Sequence, residues 1–123
     1  MSISDIATDA ITKKLTGREV KTTIISLEEM QNQLNTVLKS VDKDEISKIK
    51  KVIKGSFWKP LQIYDTQNQK YRISTLYAGT IASNRLINEF SIMDFDTNIK
   101  YTFKSFLFKR KIKKACQEVI DKY

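Results

Sequence analysis

The chain reads as an α+β fold: a mostly antiparallel sheet or small barrel, with a helical pair over 27–54 and a C-terminal helix over about 106–121. Three observations predict it. Two helix-start signatures, each followed by an apolar stripe of helical spacing, fill 26–54. Every aromatic residue lies at or after Phe57, and the chain from there to residue 104 is dominated by period-two alternation. At 123 residues, neither the helical nor the sheet part is large enough to form a comfortable core alone, so both belong to one domain.

The elements follow in order. Residues 4–15 read as a helix, with Ser4 as N-cap, Ile6, Ala10 and Ile11 on one face and Gly17 closing the end. Residues 18–25 are rich in β-branched side chains and alternate Val20, Thr22 and Ile24 with Lys21, Thr23 and Ile25, the pattern of a strand. Ser26 with Glu29 forms a capping box opening a helix whose stripe is Leu27, Met30, Leu34, Val37 and Leu38. Asp42 with Glu45 opens the next, with Ile46, Ile49, Val52 and Ile53 inward and Gly55 as the expected terminator. Two amphipathic helices joined around Val41 make an αα-hairpin or a helix-turn-helix.

Leu61 and Ile63, then Tyr71, Ile73, Thr75 and Tyr77, alternate around the polar stretch 65–68, predicting a hairpin, with Pro60 at a strand start or edge. In residues 82–95, Ala82, Leu86 and Phe90 have helical spacing, which favours a short helix or turn before a strand ending near Phe95. Asp96 and Asn98 turn the chain, and Ile99, Tyr101 and Phe103 alternate as a strand. Phe108, Ile112, Ala115, Val119 and Tyr123 then mark the last helix.

Composition narrows the function. Histidine is absent, which removes the commonest general base and any Ser-His or Cys-His nucleophile. With one cysteine and no histidine there is no zinc-ligand set, and the three glycines are too far apart for a phosphate-cradling loop. The expectation is a non-enzymatic protein with no cofactor and no metal. Cys116 falls on the apolar stripe of the last helix and reads as a packed, inert thiol. A lone cysteine gives no disulfide framework, residues 1–10 lack a signal-peptide pattern, and no apolar run is long enough to span a membrane. These point to a cytoplasmic protein.

The formal net charge is +8, and its distribution matters more than its size. Lys104, Lys109, Arg110, Lys111, Lys113 and Lys114 form a run without an acid that opens the last helix, where the macrodipole disfavours cations. A local cost with no local gain marks a candidate site. Lys100 with Lys104, and Lys70 with Arg72, are expected on the solvent side of their strands, extending this run into one basic surface. Tyr71, Tyr101 and Phe103 fall on the opposite pleat, as core. Lys48, Lys51 and Lys54, with Lys50 and Lys59 nearby, form a second cluster. The macrodipole favours it at a helix C-terminus, so it is a secondary site.

The leading reading is therefore a nucleic-acid-binding regulator, of DNA or RNA, using cations to neutralise phosphates. The order of elements over 18–121 resembles that of PUA-like RNA-binding barrels, which implies structured RNA as the partner. No motif of that family is present, so no functional residue carries over. A winged-helix arrangement, with 61–77 as wing, is the DNA-binding counterpart. An interaction module docking an acidic protein is the alternative, and a membrane-surface role for 106–114 is disfavoured because the stripe from Phe108 continues as a core pattern. Abundant Lys, Ile and Asn fit an AT-rich coding sequence, as in bacterial mobile elements.

Overall fold

The structure is a computed structural model that describes residues 19–56, 61–80, 85–106 and 109–123. The helix expected over 4–15, the Pro60 strand start and the Lys59 and Phe108 positions lie outside those residues.

Strand β1 (Lys21–Ile24) leads into helices α1 (Leu27–Lys39) and α2 (Lys43–Ser56). Strands β2 (Leu61–Asp65), β3 (Tyr71–Thr80), β4 (Arg85–Asp94) and β5 (Ile99–Phe106) follow, and helix α3 (Lys109–Ile120) closes the fold. The five strands form one sheet in the order β1-β5-β4-β3-β2. Strands β2 to β5 are an antiparallel meander, and β1 joins β5 in parallel, with Lys21 opposite Ile99 and Ile24 opposite Thr102. The fold is α+β, and the sheet is open, with β1 and β2 as its edges; the small-barrel alternative is not adopted.

Local chemistry sets the helix starts. The Ser26 hydroxyl accepts from the Glu29 N–H at 3.1 Å and lies 3.1 Å from the Glu29 carboxylate. At α2, Asp42 accepts from the Glu45 N–H at 2.8 Å. Each cap satisfies one of the donors that a helix N-terminus leaves unpaired. Gly55 does not stop α2, which runs through it to Ser56.

Segment 82–95 corrects the expectation of a helix or turn before the strand. Its described part is strand throughout, from Arg85 to Asp94. The helical spacing of Leu86 and Phe90 coincides with the even positions of a strand. Ile92 and Met93 are both buried on opposite pleats, so the alternation that betrays a half-buried strand is missing.

Met30, Leu34, Val37 and Leu38 of α1, Ile49 and Ile53 of α2, and Ile112, Ala115, Cys116, Val119 and Ile120 of α3 pack on Ile73, Phe90 and Ile92 of the sheet. Tyr71, Tyr101 and Phe103 border this core, as their pleat predicts, and Tyr64 joins them while Leu61 and Ile63 of the same strand are exposed. Full burial of a side chain such as Phe90 contributes about 1.5–3 kcal/mol of transfer free energy. Burial holds the Cys116 thiol up at a pKa of about 12, so it is neutral and unreactive at ordinary pH.

Candidate functional site

Strand direction decides where the charges go. In the meander, the start of β2 and the end of β5 lie at the same end of the sheet. Helix α2 ends shortly before β2 begins, and α3 starts shortly after β5 ends, so the end of α2 and the start of α3 both lie toward that end of the sheet; the two helices are in contact. The two lysine clusters, distant in sequence, thereby come to one pole of the molecule. Lys51 and Lys54 come from α2, and Arg110, Lys111, Lys113 and Lys114 from α3; all six are exposed. Lys48 is exposed one turn further back on α2, and Lys109 is the first residue of α3.

Amphipathicity turns these side chains outward. Ile49 and Ile53 anchor α2, and Ile112, Ala115 and Cys116 anchor α3, which leaves the cations on the opposite faces. No acidic residue stands in the first turn of α3.

Helix α1 runs beside α3 in the same direction. Gln31 donates through Nε2 to the Ala115 carbonyl at 3.1 Å and to the Glu118 carboxylate at 3.0 Å, and the Tyr123 hydroxyl meets Asn35 near the far ends of both. Glu28 and Glu29, in the first turn of α1, therefore lie beside the first turns of α3.

The sheet cations behave differently, and this corrects the expected basic surface. Arg72 is buried at 3% exposure, with Nε 2.6 Å from Asp65 Oδ1 and Nη2 2.9 Å from Oδ2, and its guanidinium lies 5.6 Å from the centroid of the Phe95 ring. Such a bidentate fork pins β2 to β3 and leaves little of the cation for a partner. Lys100 is buried at 2% exposure. Lys104 is half-buried, with Nζ 3.7 Å from the buried carboxylate of Glu89. Of the four, only Lys70 is exposed as expected, in the β2–β3 turn at the opposite pole from the start of α3.

That pleat is thus a second, polar interior. Ser91 and Thr102 share a hydroxyl hydrogen bond at 2.9 Å, and Ser74 is buried beside them. A cavity of about 10 Å³, lined by residues including Glu89, Ser91 and Lys100, has room for about one water. It is too small for a substrate. Among the described residues there is no group of three or more acidic, histidine or cysteine side chains placed to hold a metal ion, and no helix long and apolar enough to cross a membrane.

Glu45 is the residue the sequence misassigned. Asp42 caps α2 without it, and the Glu45 carboxylate is buried at 4% exposure. Its Oε2 accepts from the Tyr64 hydroxyl at 2.9 Å and from the Gln67 N–H at 2.7 Å, tying α2 to the β2–β3 hairpin. Burial, then the hydrogen bond and charge of Glu45, raise the Tyr64 pKa to about 12. No signal in the sequence separates this role from a capping box, because both require Glu three residues after the cap.

The opposite pole carries charges of both signs, with Lys39, Lys43 and Lys70 exposed among its aspartates. Asp42 and Asp44 open α2, Asp65 ends β2, and Asp94 and Asp96 occupy the β4–β5 turn. Comparison with known proteins offers no shortcut to function: no family model, no curated protein and no solved structure matches the chain.

Proposed function

We propose that this chain is a small, non-enzymatic nucleic-acid-binding protein of regulatory type, whose contact surface is the pole where α2 ends and α3 begins. The observation that supports it is the convergence there of Lys51 and Lys54 with Arg110, Lys111, Lys113 and Lys114. Either cluster alone has an ordinary account as a solvated helix face. Their gathering at one end sets one cluster against its own helix dipole, a cost that Glu28 and Glu29 offset only in part. A polyanion supplies the missing compensation, because phosphates paired with these cations release condensed counterions.

The reading is tested by fluorescence anisotropy with labelled duplex DNA, single-stranded DNA and hairpin RNA, each titrated with salt. Affinity should fall steeply as salt rises. The Arg110→Glu/Lys114→Glu variant should bind at least about tenfold more weakly at ~100 mM salt, with an unchanged circular-dichroism spectrum. No salt-sensitive binding to any of the three at low ionic strength would remove the proposal.

A further inference from the structure

Strand pairing leaves part of the sheet standing clear at the end where α2 stops and α3 starts. The β3–β4 ladder runs from Tyr71 opposite Asp94 to Thr80 opposite Arg85. Strand β2 begins only at Leu61 opposite Leu76, and β5 ends at Phe106 opposite Ile87. Beyond those points no described strand lies beside residues 77–80 or 85–86. On the β2 side the two-stranded ribbon extends past the sheet by the four residues 77–80, about 13 Å at ~3.3 Å per residue. Its root is fixed, with Asn88 buried opposite Ser105 of β5.

The composition of the ribbon suits contact with a polyanion. Residues 77–80 and 85–88 include one arginine and no acid. Gly79 lies inside the ladder, opposite Leu86. A glycine in a strand interior weakens it and marks a bulge, a bend or a close approach by a ligand. The register continues evenly to Thr80, which excludes the bulge.

We infer that the nucleic acid is duplex DNA and that the β3–β4 ribbon sits in its major groove, with the cations of α2 and α3 holding the flanking phosphates. The inference rests on the nucleic-acid reading above. The major groove of B-form DNA is about 12 Å wide and about 8.5 Å deep, and it admits a two-stranded ribbon. The ribbon outreaches that depth. The major groove of A-form RNA is too narrow for side chains to read, and a single strand offers no groove. Arginine is the commonest reader of guanine in the DNA major groove, and Arg85 closes the described ladder.

The test compares two duplexes of one sequence by fluorescence anisotropy at ~0.1 M salt. One is unmodified. The other carries glucosylated hydroxymethylcytosines, which fill the major groove and leave the phosphate charge unchanged. Wild type should bind the filled duplex at least about tenfold more weakly. Arg85→Ala, with an unchanged circular-dichroism spectrum, should bind the unmodified duplex about tenfold more weakly and the two duplexes nearly alike. Lys111→Ala should weaken both by the same factor, because the phosphates are common to both. Equal wild-type affinity for the two duplexes would overturn the groove assignment. An Arg85→Ala variant that kept the wild-type ratio would overturn the ribbon as the element in the groove. Tighter binding to hairpin RNA or to a single strand than to unmodified duplex would overturn duplex DNA while leaving nucleic-acid binding in place. No salt-sensitive binding to any of them would remove the underlying function instead.

Discussion

The helix cations and the sheet cations of this protein have opposite fates. Lys51, Lys54, Arg110, Lys111 and Lys114 stand in solvent on helices whose other faces fill the core. Arg72 and Lys100 sit on strands and are buried at 3% and 2% exposure. The sequence treats the two groups alike, as basic residues on the polar side of an amphipathic element. The difference teaches that periodicity reports which residues share a face, and not whether water reaches that face.

The largest expected effect strikes the sheet group. Arg72→Ala strips a buried guanidinium from Asp65 and from the Phe95 ring, and should destabilise the fold by about 3 kcal/mol, the low end for a broken buried pair. The low end applies because Asp65 is half-exposed and can rehydrate. For a chain of this length that corresponds to roughly 12 °C in Tm, read by thermal unfolding. The matching helix change, Lys114→Ala, should stay within about 0.5 kcal/mol of wild type. Equal losses from both would erase the distinction.

Next comes Glu45→Ala, which leaves the Tyr64 hydroxyl and the Gln67 N–H without their acceptor. About 2 kcal/mol should be lost, measured by urea unfolding, as expected for donors orphaned in a part-buried site. A loss near zero would mean that Asp42 alone fixes this corner and that the link from α2 to the hairpin contributes nothing.

The same pair predicts a pH dependence. The Tyr64 pKa is raised above its ordinary value, to about 12, and only the neutral hydroxyl can donate to Glu45. A group raised on folding contributes stability that is whole below its unfolded pKa of about 10 and is lost as pH climbs through the folded value. Wild type should thus lose stability between pH 10 and 12 more steeply than Tyr64→Phe, in paired urea titrations. Parallel curves would show that the Tyr64–Glu45 contact is not the source.

These contrasts also mark what the sequence could convey. The helical pair, the β2–β3 hairpin, β5 and α3 were legible because each carries a cap, a turn or a clean period that local physics enforces. Strand β4 was not, since burial on both pleats erases its alternation and leaves the spacing of Leu86 and Phe90 to imitate a helix. The site was half legible. Both helix clusters were visible as charge runs, but their meeting depends on β2 and β5 sharing an end, which only the strand pairing determines. Lys100 and Arg72 were misplaced on the surface because a polar face was equated with a wet one. The role of Glu45 was hidden because its partners lie 19 and 22 residues away.

The smallest effect sharpens the comparison most, because stability and binding should move in opposite directions. Arg110 and Lys111 occupy the first turn of α3, which contains no acid to complement the macrodipole. Replacing both with glutamine should stabilise the fold by about 0.3–1 kcal/mol at low ionic strength, with the gain shrinking as salt screens the dipole. Glu28 and Glu29 on the neighbouring helix already offset part of the cost, so the lower end of that range is expected. The same variant should bind duplex several-fold more weakly, since two phosphate-facing charges are gone. Cations kept for structure would show the reverse, with stability falling and binding unmoved. A variant that is more stable and less able to bind would identify this turn as a place where the fold gives up local stability to hold charge for a partner.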